Sequence, residues 1–169
     1  MRTREVMDIS TLKKLSDEQE ISGLLVEYCR ALDCMDLKAI AEIFSDDCIV
    51  EFGPDDRLNS RGRHEVAKSL ERMWRWARTS HHLSNIQIRF ADVDRAFSTS
   101  YVLAWHERKD KTTATIYGQY HDELIRETVG WRISKRTMYM NGSDSGFTVG
   151  IYPFERSIAP EGWVPPEID

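Results

Sequence analysis

The sequence predicts an α+β domain in which three N-terminal helices pack on a curved, mostly antiparallel sheet. Two observations carry this prediction. Apolar residues recur at helical spacing in the first half of the chain, whereas from residue 81 onward they alternate with polar residues. A chain of 169 residues suits one compact domain, and no internal repeat or linker divides it. Because a sheet with one apolar face must cover that face, we expect the helices to pack on it.

The helical half divides into three segments. Ser16 and Gln19 form a capping-box pattern that predicts the start of the first helix. Its apolar face is made by residues spaced three or four apart: Ile21, Leu24, Leu25, Tyr28 and Leu32. Asp36 is a suitable cap for a short second helix, which the SDD at 45–47 ends. A third helix is predicted over residues 62–77.

The strands follow from alternation and from turn residues. One strand precedes the third helix, at 48–53. The remaining four are predicted at 81–90, 97–107, 113–125 and 131–140. Short polar turns such as RKDK separate these four strands, so we expect them to form an antiparallel meander.

The two ends of the chain differ from the domain, which we place at residues 16–140. Residues 1–15 are mixed and polar, and we expect a lead-in there. Residues 141–169 carry four of the five prolines and are expected to form an extended tail. Large apolar residues indicate that this tail is packed, either across a neighbouring chain or over the mouth of a pocket: Phe147, Ile151, Tyr152, Phe154 and Trp163.

Composition argues against several functions and locations. A net charge of −5 without a dense Lys/Arg block is unlike a nucleic-acid binder. No apolar run approaches the roughly 20 residues that a membrane span needs, and the opening MRTREVMDIS has no apolar core of a signal peptide. The three cysteines, Cys29, Cys34 and Cys48, are odd in number and form no CxxC, which favours reduced thiols and a cytoplasmic protein.

Four segments carry a family resemblance: ISGLLVEYCRALDCMD, IFSDDCIVEFG, TSHHLSNIQIRF and YGQYHDELIRETVGWRISKR. They resemble the SnoaL-like branch of the NTF2-like superfamily, which includes scytalone dehydratase and polyketide cyclases. The resemblance implies a cone-shaped NTF2-like fold, no cofactor, and a small, mostly apolar cyclic ligand. This fold hosts both catalysts and non-catalytic proteins. A lyase or isomerase therefore stands beside an alternative, a ligand-binding or assembly module similar to the small subunits of ring-hydroxylating dioxygenases.

The resemblance also implies a catalytic group. Asp33, from the end of the first helix, and His81, from the start of the second strand, match a His–Asp pair at the bottom of the cone. In that role His81 is the general base and Asp33 orients it. Tyr28 matches a pocket tyrosine and His106 a second histidine, and either would assist the leaving group or an oxyanion. Independently, a carboxylate near a helix C-terminus faces the negative end of the helix dipole, so Asp33 needs a partner.

Each of these residues also has a structural interpretation, which the sequence leaves open. Asp33 could cap the following helix or pair with a surface arginine. His81 could be a satisfied structural histidine, and Tyr28, on the apolar helix face, could belong to the core. His106 and Trp105 must point to opposite faces of their strand, and the sequence does not say which face lines a cavity.

Further predictions concern the pocket and its partners. Phe52, Trp74 and Met140 are predicted to line an apolar substrate pocket, with Trp76 nearby, although each also suits the core. Neither HExxH nor paired CxxC occurs, so no metal is predicted. The reaction we favour is dehydration by β-elimination next to a carbonyl, with HX elimination and isomerisation as alternatives. We expect a homodimer or homotrimer formed through the open face of the sheet.

Overall fold

Three helices cover one face of a six-stranded sheet in the computed structural model, which describes residues 9–145, 150, 152, 161 and 162. The helices are α1 (Ile9–Asp33), α2 (Leu37–Ile43) and α3 (Arg63–Leu70). The strands are β1 (Phe44–Phe52), β2 (Ser60–Arg61), β3 (Arg78–Phe90), β4 (Arg95–Glu107), β5 (Thr113–Glu127) and β6 (Gly130–Ser145). Short 3-10 helices occupy Asp56–Leu58 and Glu71–Arg75. The predicted α+β architecture is confirmed.

Helix α1 begins at Ile9, earlier than the predicted Ser16. The extra turns carry ion pairs at helical spacing, Lys13–Asp17 at 3.4 Å and Lys14–Glu18 at 3.9 Å, which support a helix without an apolar face. The predicted lead-in 1–15 therefore contains helix from residue 9, and residues 1–8 lie outside the described residues.

A tight reversal joins the first two helices. Met35 adopts a left-handed backbone with φ 55°, and the Asp36 N–H donates to the Ala31 carbonyl at 2.8 Å. The side chain of Asp36 then accepts from the Ala39 N–H at 3.1 Å, so it caps α2 as predicted. This reversal leaves Asp33 at the inner end of α1.

The sheet is mixed, with strand order β2-β1-β6-β5-β4-β3. Strands β3 to β6 form the predicted antiparallel meander, whereas β1 pairs with β6 in parallel, with Glu51 opposite Thr137. Irregular registers bend the sheet, one of them between Tyr117 and Gly118. A Cβ at Gly118 would collide with the Tyr139 carbonyl oxygen, so this close approach of β5 and β6 requires glycine.

Apolar side chains fill the space between the concave sheet face and the helices. The largest fully buried members come from both layers: Ile21, Leu25, Tyr28, Phe44, Tyr120, Trp131 and Ile133. Polar contacts at the margin hold α1 on the last hairpin. The Arg126 guanidinium binds the Asp17 carboxylate at 2.5 Å, and Glu20 accepts from the Trp131 N–H at 2.9 Å.

The predicted tail is described only in part. Strand β6 extends to Ser145, and Met140 forms an isolated antiparallel bridge with Tyr152. Tyr152 also stacks on Tyr139 with ring centroids 5.2 Å apart. The other apolar residues used to predict a packed tail lie outside the described residues: Phe147, Ile151, Phe154 and Trp163.

Candidate active site

Asp33 and His81 form a hydrogen-bonded pair where the last residue of α1 meets the start of β3. The His81 ring binds Asp33 through Nδ1 and Oδ1 at 2.6 Å, and the His81 backbone N–H donates to Oδ2 at 2.9 Å. The Thr79 hydroxyl adds a bond to Oδ1 at 2.8 Å. Asp33 therefore does not cap α2, which Asp36 caps, nor does it pair with a surface arginine among the described residues.

These bonds favour the ionised form of Asp33 and determine which ring nitrogen of His81 donates to it. Burial alone would raise the pKa of Asp33, but the bonds from His81 and Thr79 outweigh it and hold the pKa below its usual value. A carboxylate only accepts hydrogen bonds, so Nδ1 of His81 donates to Asp33, and in the neutral imidazole Nε2 is the nitrogen that holds the lone pair. The His81 side chain is 3% exposed and lines a cavity.

A second histidine stands beside His81 in the cavity wall. His106 points to the inner face of β4 and is 7% exposed, and its ring meets that of His81 edge to face at 5.2 Å. Trp105 lies on the opposite face, within cation–π distance of Arg78, which settles the orientation that alternation left open. Burial, and then the neighbouring His81, lower the pKa of His106 to about 4. No described residue bonds to its Nδ1.

The cavity above this pair has a volume of about 370 Å³, a size that suits a small cyclic molecule. Of the predicted pocket residues, Phe52, His106 and Met140 line it. Most of the remaining wall is apolar: Leu58, Leu70, Met73, Ala114, Ile116 and Met138. The cavity thus combines a largely apolar wall with two histidines and three charged residues, Asp55, Arg72 and Arg75.

Trp74 does not line the cavity, and Trp76 does. The predicted α-helix over 62–77 ends at Leu70 and continues as the 3-10 helix Glu71–Arg75. A 3-10 helix has three residues per turn rather than 3.6, so it shifts the direction of every later side chain. Trp74 is consequently 57% exposed, while the Trp76 ring packs beside that of His106 at 4.9 Å.

Tyr28 is also absent from the cavity wall. It is fully buried, in edge contact with Tyr120 at 5.8 Å and Phe44 at 6.0 Å, and burial raises its pKa to about 12. Its hydroxyl bonds to none of the described residues. The structure therefore places Tyr28 in the core rather than in the cavity wall, which favours its structural interpretation over a role at the substrate.

A buried ion pair underlies the aromatic core and was not predicted. The Arg136 guanidinium donates to both Asp122 oxygens, at 2.7 and 2.9 Å, and both side chains are fully buried. The guanidinium also lies against the rings of Tyr28 and Tyr120, 4.2 and 4.3 Å from their centroids. The only sequence signal was alternation, since Asp122 and His121 must face opposite sides of β5.

A further unpredicted residue is Arg72, which lines the cavity and whose Cζ lies 5.1 Å from the centroid of the Phe52 ring. An arginine in a polar turn usually faces solvent, so no sequence signal marked it.

Among the described residues, no group of three or more His, Cys, Asp or Glu could hold a metal ion. Within the same part of the chain, no helix is long and apolar enough to cross a membrane.

Comparisons with known proteins agree with the fold. The model of the SnoaL-like domain matches residues 13–137. No curated protein matches the chain. A solved structure of a candidate scytalone dehydratase from Novosphingobium aromaticivorans DSM 12444 is 28% identical, with TM-score 0.80, and the match covers 88% of this chain and 99% of that one.

Two more distant structures show the fold alone. Hexachlorocyclohexane dehydrochlorinase LinA-type3 from Novosphingobium barchaimii LL02 is 20% identical, with TM-score 0.72, over 86% of this chain and 99% of that one. A variant of a Mycobacterium tuberculosis protein, described as being of unknown function, is 23% identical, with TM-score 0.69, over 80% of this chain and 77% of that one.

Proposed function

This chain belongs to the SnoaL-like domain family, and on that premise we propose that it is a cofactor-independent lyase or isomerase acting on a small, mostly apolar cyclic compound. The observation that carries the proposal is the 2.6 Å contact between His81 Nδ1 and Asp33 Oδ1 in the wall of a cavity of about 370 Å³. A base held by a carboxylate and facing an apolar cavity is the arrangement that proton abstraction from carbon needs.

In the proposed reaction, Nε2 of His81 takes a proton from the carbon next to a carbonyl. The electron pair of that C–H bond forms a C=C bond as the bond to a β-hydroxyl breaks. The proton then leaves with the hydroxyl as water, which restores neutral His81. Asp33 keeps its negative charge and stabilises the imidazolium while it exists.

His106 has a supporting part in this proposal. With a pKa of about 4 it is neutral at physiological pH, so it does not compete with His81 as a cation. A neutral imidazole has one N–H, which is suited to donate to the carbonyl oxygen or to the leaving hydroxyl. The apolar wall, including Phe52 and Met140, keeps water away from the reacting carbon.

Dehydration is the reaction we favour over HX elimination and isomerisation. The structure named a candidate scytalone dehydratase shares 28% identity with this chain over nearly its whole length, and its name describes the removal of water. HX elimination and isomerisation would begin with the same proton abstraction by His81, so the three reactions differ mainly in the leaving group.

The test is hydrogen–deuterium exchange on a panel of cyclic β-hydroxy ketones in deuterium oxide, monitored by NMR. We expect exchange at the carbon next to the carbonyl, together with loss of water. The variant His81→Gln should lose about 10²- to 10⁴-fold of the rate, the usual contribution of general base catalysis. The variant His82→Gln is the matched control, because His82 is the neighbouring histidine and is exposed on the other face of β3.

A non-catalytic binding or assembly module is the alternative, and it does not require the Asp33–His81 contact. It predicts ligand binding without exchange, and copurification of a large partner protein. Exchange that is unchanged in His81→Gln would also contradict our assignment of His81 as the general base.

For the cellular location we retain the cytoplasm as a proposal, since the three cysteines form no disulfide pattern.

A further inference from the structure

The guanidinium of Arg72 is held at the cavity wall along one edge. Its Nη1 donates to the Ser69 carbonyl oxygen at 2.6 Å and also to the Ser69 hydroxyl. The guanidinium lies over the Phe52 ring, with 5.1 Å from Cζ to the ring centroid. These contacts fix the group in place, and it shares the cavity wall with His81 and His106.

The other edge of this guanidinium has no protein partner within the described part of the chain. The hydrogen bonds that Arg72 makes to described residues all come from Nη1, and no described carboxylate acts on its guanidinium. The carboxylate residue in the cavity wall, Asp55, is bound by Arg57 at 2.6 and 2.9 Å. Burial lowers the pKa of Arg72, although it remains protonated at neutral pH.

The surroundings of Arg72 are positive although the whole chain is negative. A groove next to the cavity shares Arg72 and Arg75 with it, and five basic side chains line this groove against two acidic ones: Arg57, Arg61, Lys68, Arg72 and Arg75 against Asp55 and Glu65. Because the net charge of the chain is −5, this groove locally reverses the sign of the field. Such a field concentrates anions beside the cavity.

We propose that the ligand of this cavity is a cyclic carboxylic acid whose carboxylate accepts two hydrogen bonds from Nε and Nη2 of Arg72. The Nε–Nη2 edge of a guanidinium matches the two oxygens of a carboxylate, and a partly buried, unpaired arginine gains most from such a partner. With the carboxylate fixed at Arg72 and the ring against the apolar wall, the ligand would be oriented toward His81. This inference deepens the proposed function, since it names the substrate class of the same cavity.

The test is equilibrium binding, which does not depend on turnover. Titration calorimetry compares benzoate with benzamide, which has nearly the same shape but no charge. We expect the wild type to prefer benzoate by at least about tenfold, the effect of one or two charge-assisted hydrogen bonds. The variant Arg72→Gln should lose this preference while still binding benzamide. Arg72→Lys keeps the charge but not the two-pronged edge, so it should retain part of the preference, and it serves as a second variant.

The matched control is Arg89→Gln, which removes the same charge from an exposed arginine that also lies over a phenylalanine, Phe97, at 4.5 Å. It should bind benzoate like the wild type. Equal affinity of the wild type for benzoate and benzamide, or no binding of benzoate at millimolar concentration, would overturn the proposal. Acetate binding as tightly as benzoate would also overturn it, because the arginine would then be a site for free anions.

The same titration separates this inference from the proposed function. If His81→Gln loses proton abstraction but keeps the preference for benzoate, both proposals are supported. If His81→Gln rather than Arg72→Gln abolishes the preference, the carboxylate binds at the histidine and the inference fails. If Arg72→Gln abolishes the preference but no exchange is ever found, the inference stands while the lyase proposal fails.

Discussion

Asp33 and His81 lie 48 residues apart in the chain and are joined through both the backbone and the ring of the histidine. The backbone bond attaches the first residues of β3 to the end of α1, and the ring bond fixes the direction of the imidazole. The same carboxylate therefore serves the fold and the proposed chemistry. A substitution at Asp33 should change both stability and activity, whereas a substitution at a residue with only one of these roles should change one.

The first prediction concerns the stability contributed by Asp33. Asp33→Asn loses the charge that strengthens its three accepted hydrogen bonds and leaves one of the donors without an acceptor. We expect the free energy of unfolding to fall by about 1–3 kcal/mol in urea denaturation. The control is Asp36→Asn, since asparagine caps a helix as well as aspartate does. Equal stability of Asp33→Asn and the wild type would show that the pair contributes nothing to the fold.

The second prediction is a pH dependence of stability that originates at His106. Its pKa is about 4 in the folded chain and 6.5 as the ordinary value. Between these pH values the unfolded chain binds a proton at His106 that the folded chain does not, so stability falls as the pH is lowered. From about pH 7 to about pH 4 the loss approaches about 3 kcal/mol.

The measurement is urea unfolding of the wild type and His106→Gln across this pH range. The variant has no titrating ring at this position, so its stability should depend less steeply on pH. His64→Gln removes a histidine from an exposed position and serves as the control. Parallel pH profiles for the wild type and His106→Gln would rule out a buried neutral imidazole at this position.

The third prediction concerns the buried pair of Asp122 and Arg136. Asp122→Asn leaves a fully buried guanidinium without a counter-charge, so we expect a loss of about 3–5 kcal/mol in the free energy of unfolding. The double variant Asp122→Asn with Arg136→Met removes the unpaired charge and should recover a large part of this loss. If the double variant is less stable than Asp122→Asn alone, the aromatic contacts of Arg136 rather than its charge pair dominate.

The fourth prediction distinguishes the two tryptophans near α3. Trp76→Ala should weaken the binding of benzoate by about tenfold, because an aromatic wall of the cavity is lost. Trp74→Ala removes an equally large ring from a position that is 57% exposed, and it should leave the affinity unchanged. Both affinities are measured by the same calorimetric titration. The reverse result would place Trp74 in the cavity in solution.

The fifth prediction concerns assembly through the outer face of the sheet. Four large side chains on β4 and β5 are between 37% and 44% exposed on that face: Phe97, Tyr101, Leu103 and Tyr117. Leu103 and Tyr117 are direct cross-strand neighbours, so they form the centre of an apolar patch. We expect a homodimer or homotrimer, which sedimentation measures, and dissociation by Leu103→Glu. Val129→Glu alters an exposed residue of the turn between β5 and β6 and should leave the assembly intact.

Local sequence patterns predicted most of the helices and strands. Most of the differences between this prediction and the structure come from pairing between residues far apart in the chain. Alternation placed β3 to β6 because each strand is long and has one covered face. The two-residue β2 is too short to produce a period. The parallel pairing of β1 with β6 has no turn residue to mark it. The earlier start of α1 depends on ion pairs, which hydrophobic periodicity does not detect.

The residues of the candidate site were likewise predicted only in part. Family resemblance identified Asp33 and His81, and the structure brings them into contact. The choice between Trp74 and Trp76 required knowing where α-helix becomes 3-10 helix, a change of a fraction of a turn that apolar spacing does not reveal. Arg136 was missed because the burial of a charge is decided by its partner on the neighbouring strand.

The parallel pairing of β1 with β6 also constrains the order in which the chain can assemble during synthesis. Thr137 binds Glu51 across 86 residues of sequence, whereas each hairpin from β3 to β6 closes over a short turn. Until β6 has left the ribosome, the edge of β1 that pairs with β6 in the folded chain has no neighbouring strand. Closing so large a loop is slow compared with hairpin formation. The nascent chain therefore exposes this edge of β1 until β6 emerges, and an unpaired strand edge is prone to associate with other chains.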